Sequence, residues 1–133
     1  MAAPLRHRLA KNPPVATGLI EALRAADREA LASVLAEDVV FDSPVATYEG
    51  RETVLHVLGT VADVVSDLEV DRELAKGDET VSFLTGRIGD ERVDGVVAWS
   101  VDDAGRVARL TLMLRPLKGL LAGVEEMGRR LGG

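Results

Sequence analysis

The sequence predicts one α+β domain in which helices pack on one face of a curved antiparallel sheet. Three observations support this fold class. Up to about residue 65, apolar residues recur at the spacing of about 3.6 residues that is typical of helices. From Asp67 onward they recur at every second position, as they do in strands. After Pro116 the helical spacing returns and predicts an additional C-terminal helix.

The chain of 133 residues suits one domain of ordinary size and leaves no room for a second. Residues 1–16 are predicted to be an N-terminal tail, and residues 17–133 are predicted to form the domain. The tail contains Asn-Pro-Pro at residues 12–14, where the two prolines block the continuation of a helix. The basic run Arg-His-Arg at residues 6–8 is typical of a solvated arm, so no function is assigned to it.

Three amphipathic helices are predicted before the long strands, with one short strand between the second and the third. Thr17 and Asp27 are candidate N-caps of the first two, because their side-chain oxygens can accept hydrogen bonds from the first free amides of a helix. The second helix is predicted to run through Leu35, and residues 39–41 then predict a short strand. A loop through Tyr48 leads into the third helix. The apolar stripe of that helix consists of Val54, Val57, Leu58, Val61 and Val65.

Four strands in a meander are predicted next, with turns at residues 77–78, 89–90 and 102–105. Side chains alternate between the two faces of a strand, so Val97 and Trp99 are expected to point inward. On the last strand the inward residues are Leu110, Leu112 and Leu114, and the outward residues are Arg109, Thr111, Met113 and Arg115. The apolar stripe of the final helix consists of Leu117, Leu120, Leu121, Val124, Met127 and Leu131.

The composition excludes several classes of function. The chain has no cysteine and only two histidines, so disulfides, cysteine nucleophiles and thiolate sites are excluded, and neither a metal nor a cofactor is predicted. A formal charge of -6 argues against nucleic acid and against an anionic membrane surface as partners. No apolar stretch is long enough to span a membrane, and the start lacks the apolar core of a signal peptide, so a cytoplasmic protein is expected.

Three segments, at residues 25–39, 40–51 and 103–117, carry a resemblance to a known family. The first begins Ala-Ala-Asp-Arg-Glu-Ala-Leu, the second combines Val-Phe-Asp-Ser-Pro-Val with Tyr-Glu-Gly-Arg, and the third combines Asp-Ala-Gly-Arg-Val with Leu-Arg-Pro-Leu. Together they resemble the nuclear-transport-factor-2-like superfamily, specifically its SnoaL-like and ketosteroid-isomerase-like bacterial branch. The resemblance covers roughly residues 17 to 127.

The resemblance implies a cone-shaped sheet with the N-terminal helices packed on its concave face, around an apolar cavity. It also implies a homodimer, because proteins of this fold commonly pair through the outer face of the sheet. The cavity wall that the resemblance implies consists of Phe41, Ser43, Val57, Val97, Trp99, Leu110, Leu112 and Leu114.

The best-known enzymes of this fold use acid and base groups that the chain lacks at the matching positions. A ketosteroid isomerase needs a carboxylate base, a tyrosine and a neutral carboxylic acid. By resemblance these positions fall on Ser43, Leu19 and Val97, which cannot do that chemistry. The last aspartate of limonene-epoxide-hydrolase-like members falls near Leu112. The chain is therefore expected to be neither of these two enzymes.

Asp42 and Arg72 are the candidate catalytic residues that remain. Asp42 lies one residue before the base position, and on a regular strand that step turns its side chain to the other face unless a bulge redirects it. Strict alternation places Arg72 on the inward face, where Asp42 or Asp94 could pair with it. The alternatives are that Asp42 bonds only to local backbone and that Arg72 reaches water at the sheet edge.

Three other side chains have two interpretations each. His56 could transfer protons, but its helical spacing from charged neighbours favours the solvated side of the third helix. Tyr48 could hydrogen-bond a ligand or could cover the core. Trp99 could stack on a ligand or could simply be part of the core.

The sequence therefore favours a pocket protein that binds a small, largely apolar organic molecule, and it leaves open whether a reaction is catalysed. The first alternative is an isomerase, cyclase or hydrolase that acts on a polyketide- or steroid-like substrate. The second is a non-catalytic dimeric accessory subunit with a filled core. The final helix could cap the cavity or pack on a second subunit.

Overall fold

The computed structural model describes residues 18–132, so the predicted tail, its basic run and Thr17 lie outside the described residues. The described chain forms, in order, α1 (Leu19–Ala25), α2 (Arg28–Val34), β1 (Leu35–Asp42), β2 (Thr47–Glu49), α3 (Arg51–Val64), β3 (Ser66–Lys76), β4 (Glu79–Ile88), β5 (Glu91–Val101), β6 (Val107–Arg115) and α4 (Leu117–Leu131). This order confirms the predicted α+β class. Within residues 18–132, no helix has both the length and the apolar character needed to cross a membrane.

The strands form one curved, unclosed sheet in the order β2-β1-β6-β5-β4-β3. Strands β3 to β6 are the predicted antiparallel meander, whereas β1 runs parallel to β6. Trp99 lies opposite Leu110, and Val97 lies opposite Leu112. All four side chains are buried on the inner face, as the alternation predicts. The main core lies between this face and the helices α1, α2 and α3.

Local sequence preferences predict the cap of α2 correctly, but they do not predict where β1 begins or that β2 is a strand. Asp27 caps α2 as predicted, because its carboxylate accepts a hydrogen bond from the amide of Ala30 at 3.1 Å. However, α2 ends at Val34, and Leu35 begins β1 by pairing with Val107 of β6. The predicted loop at residues 47–49 is also a short strand that pairs with β1. Tertiary pairing has overridden local preference at both places.

Strand β3 does not alternate regularly, which corrects the predicted orientation of Arg72. Val70 lies opposite Leu84, but Arg72 lies opposite Phe83, so Asp71 is an extra residue with no partner in the ladder. One inserted residue reverses the faces of all that follow it. Arg72 therefore lies on the outer face. Glu73 turns to the inner face, where its carboxylate accepts a hydrogen bond from the fully buried hydroxyl of Ser82.

Helix α4 contacts the sheet through glycines and not through its whole apolar stripe. Gly119 and Gly123 are buried, and a Cβ atom at these positions would press against Val93 and Ile88 respectively. The exposed residues of the predicted stripe are Leu117, Leu121 and Val124, at 67%, 57% and 39% exposure. The absence of side chains at the two glycines lets the helix approach the sheet closely.

Candidate functional site

An apolar cavity with a volume of about 270 Å³ lies between α3, α4, the turn at residues 43–46 and the inner face of β6. Helix α4 closes one side of it, because Leu120, Met127 and Leu131 line the cavity. The final helix therefore covers one side of the pocket, which is one of the two roles that the sequence suggested for it. The described lining contains no charged side chain.

A second, smaller cavity of about 50 Å³ lies deeper, between α3 and the centre of the sheet. Gly86 and Gly95 form part of its wall, and the side chains of Val65 and Leu114 pack closely over these two glycines. The two cavities adjoin along α3 and β6, because they share Val61, Val65, Leu112 and Leu114.

The structure brings most of the predicted pocket residues to these two cavities. Phe41, Val97 and Leu110 line the smaller cavity. Ser43, Tyr48 and Val57 line the larger cavity. Leu112 and Leu114 line both. Trp99 is the exception: it lines neither cavity and is 7% exposed within the main core.

The positions that would carry isomerase chemistry hold no acid or base. Leu19 is 0% exposed and Val97 is 3% exposed, and both belong to the apolar core. The hydroxyl of Ser43 donates a hydrogen bond to the carbonyl of Ala46 at 2.8 Å and accepts hydrogen bonds from the amides of Val45 and Ala46. Ser43 therefore shapes the turn beside the larger cavity.

Asp42 lies on the outer face of the sheet, away from both cavities. Its register neighbour on β6 is Thr111, and the buried Phe41 beside it points the opposite way. Its carboxylate accepts hydrogen bonds from Nε of Arg109 at 2.9 Å and from the Thr47 hydroxyl at 2.8 Å. The Arg109 bond, and next the Thr47 bond, hold the pKa of the Asp42 carboxyl below its ordinary value. No bulge redirects this side chain inward, so the structure does not bring the candidate Asp42 to either cavity.

Arg72 also lies outside the cavities and is exposed, and it forms no ion pair with Asp42 or Asp94, its two possible partners. Its guanidinium lies 4.0 Å from the centroid of the Phe83 ring, a cation–π contact on the outer face. Asp42 pairs with Arg109, and Asp94 pairs with Arg115 at 3.1 Å. His56 is exposed on α3, as its helical spacing predicts. Within residues 18–132, no group of three or more potential ligands is placed to hold a metal ion.

Several cavity residues were not identified from the sequence as site residues. Val61 was placed only on the apolar stripe of α3, and Leu120 and Met127 only on the stripe of the final helix. In the structure all three line the larger cavity. The signal was present in the apolar stripes of α3 and α4, which predict burial but do not distinguish a core contact from a cavity wall.

Comparison with known proteins gives a match to the model of the SnoaL-like domain over residues 16–110. No curated protein matches the chain. Among solved structures, the chain is 33% identical to a steroid delta-isomerase from Pseudomonas aeruginosa, with a TM-score of 0.85 and coverage of 98% of this chain and 96% of that one.

Two further structures show the same architecture. A bacterial protein with a cystatin-like fold from Silicibacter pomeroyi is 27% identical, with a TM-score of 0.84 and coverage of 88% of this chain and 84% of that one. An NTF2-like protein from Cytophaga hutchinsonii is 16% identical, with a TM-score of 0.69 and coverage of 91% and 99%, and shows the fold alone.

Proposed function

Because the chain belongs to the SnoaL-like domain family and has its nuclear-transport-factor-2-like fold, we propose that it binds a small, largely apolar organic molecule in the larger cavity. The observation that carries the proposal is a cavity of about 270 Å³ whose described lining has no charged residue. Apolar pockets with few polar groups are typical of small-molecule sites. The cytoplasm of a bacterium is the proposed setting.

The second candidate function is an isomerase. It is favoured by the 33% identity with a protein that is itself a steroid delta-isomerase. Against it, the matching base position is Ser43, whose hydroxyl is bonded within its own turn, and Asp42 faces away from the cavity. The described lining of the cavity offers no carboxylate to move the proton of an unsaturated ketone. Binding without acid–base catalysis is therefore the better-supported function.

Replacing Val61 with tryptophan is expected to weaken ligand binding by about tenfold or more, because the indole would occupy the space shared by the two cavities. The measurement is a titration of the neutral two-ring dye 6-propionyl-2-(dimethylamino)naphthalene, followed by its emission. Leu74→Trp is the matched control, since Leu74 is 58% exposed at the hairpin far from the cavities.

Equal dye affinity in wild type and Val61→Trp would contradict binding in this cavity. The control variant should bind the dye as the wild type does, which excludes a general effect of an added indole. The same preparations are tested with a β,γ-unsaturated ketosteroid. Turnover by the wild type that Val61→Trp lacks would favour the isomerase.

The protein is further proposed to form a homodimer through the outer face of the sheet. Phe83, Val96 and Met113 lie side by side across β4, β5 and β6, and Met113 is 61% exposed. The Asp94–Arg115 and Asp42–Arg109 ion pairs flank this apolar row. A two-fold pairing buries the same patch on both subunits, so an apolar centre with both charge signs at its rim can be self-complementary.

Met113→Glu is expected to convert the dimer to a monomer, because two like charges would meet near the two-fold axis without water. Native mass spectrometry of the purified proteins at micromolar concentration reports the mass of the assembly. Leu121→Glu, which places the same charge on the exposed side of α4, should remain a dimer. A monomeric wild type, or dissociation by Leu121→Glu alone, would overturn the outer face as the interface.

A further inference from the structure

The larger cavity has two polar side chains in its described lining, Ser43 and Tyr48. The hydroxyl of Ser43 is fully engaged, since it donates one hydrogen bond and accepts two inside the turn. None of the hydrogen bonds found among residues 18–132 involves the Tyr48 hydroxyl. The phenol of Tyr48 is therefore the polar group that this wall can offer to a ligand.

Two contacts fix the position of Tyr48. Its backbone pairs with Phe41 in the β1–β2 ladder. Its ring lies 6.2 Å from the Phe41 ring, centroid to centroid, and the two rings are tilted by 33°. Phe41 is 0% exposed, so the tyrosine rests on an immobile neighbour. A phenol held in this way meets a ligand without losing much rotational freedom on binding.

The size and charge of the cavity restrict the ligand. A dry cavity of about 150 Å³ accommodates benzene, and the volume here is about 270 Å³. This space suits a molecule of one or two rings, and a longer ligand would have to extend through the open side of the cavity. A carboxylate or ammonium group would lose its hydration with no charged partner in the described lining.

Building on the proposed function, we infer that Tyr48 is the specificity-determining residue of the cavity and selects neutral one- or two-ring molecules that carry a carbonyl or hydroxyl group. The phenol donates a hydrogen bond to a carbonyl oxygen, or accepts one from a hydroxyl. A hydrocarbon of the same shape gains only the apolar contacts and leaves the phenol without a partner. The cavity thus distinguishes the two by one hydrogen bond.

The test compares wild type and Tyr48→Phe by isothermal titration with three matched probes, indane, 1-indanone and indane-2-carboxylate. Indanone should bind the wild type more tightly than indane, and the carboxylate should bind most weakly. Tyr48→Phe should weaken indanone binding by about fivefold, the effect of one hydrogen bond, and should leave indane binding unchanged. Because the phenylalanine keeps the ring on Phe41, the variant should also unfold at the wild-type temperature.

Other outcomes would contradict the role of the phenol, the preference for neutral ligands, or the binding site itself. Unchanged indanone binding in Tyr48→Phe, or an equal loss for indane and indanone, would overturn the role of the phenol while leaving the pocket in place. Tighter binding of the carboxylate than of the ketone would overturn the preference for neutral ligands. Failure of all three probes to bind the wild type would contradict the proposed function itself, and this inference with it.

Discussion

Phe41→Ala is expected to lower the free energy of unfolding by about 3–5 kcal/mol. Phe41 is 0% exposed, and its strand β1 is paired on both sides, with β2 and with β6. Its ring packs near Tyr48 and forms part of the wall of the smaller cavity. Removing the ring would leave a void next to an existing one, and the paired backbone cannot collapse into it. Urea denaturation of both proteins measures the difference.

Leu74→Ala is the control for this truncation. Leu74 is 58% exposed near the β3–β4 turn, so its loss should change the free energy of unfolding by only about 0.5 kcal/mol or less. A loss below about 1 kcal/mol for Phe41→Ala would mean that the site relaxes around the missing ring. That outcome would contradict the expectation that the paired strand β1 cannot collapse into the void.

Gly119→Ala is expected to lower the free energy of unfolding by about 1–3 kcal/mol, although alanine is the better helix former. The new methyl group would overlap Cγ1 of Val93 and would lie 3.4 Å from the carbonyl oxygen of Arg92. Val93 is 2% exposed on β5 and has no room to move aside. Helix α4 would have to lift from the sheet, which thermal or urea unfolding detects.

Gly128→Ala in the same helix is the matched control, with an expected effect of opposite sign. A Cβ atom at Gly128 meets nothing within 4 Å. The substitution should therefore raise the free energy of unfolding by about 0.5–1 kcal/mol, the propensity difference alone. Stabilisation by both substitutions would show that α4 does not rest on β5 through Gly119.

Much of the fold could be predicted from sequence because its helices and meander are amphipathic over long stretches. The alternation at Leu110 and Leu112, for example, directly reflects burial of one sheet face. The start of β1 at Leu35 could not be predicted in this way. Its partner Val107 is distant in the sequence, and the local residues Leu-Ala-Glu favour a helix.

The cavity wall could be predicted from strand alternation and from the family resemblance. The orientation of Arg72 could not, because it depends on one extra residue in β3. Apolar and polar patterning cannot indicate the insertion at Asp71, and that insertion decides the face of Arg72. Likewise, the stripe of α4 predicted which face is apolar but not that Gly119 and Gly123 would be the contact points. Whether a glycine allows close packing depends on the sheet surface that the helix meets, and not on the helix sequence alone.

The irregularity at Asp71 also affects whether copies of the protein can aggregate through the edge of the sheet. β3 is the outermost strand of the described sheet and spans Ser66–Lys76, so it is a long edge on which another chain could extend the ladder. Asp71, Arg72 and Glu73 are all exposed there. An incoming strand would have to reproduce the shift in register and place its residues against charges of both signs. This edge therefore resists fibril-type growth.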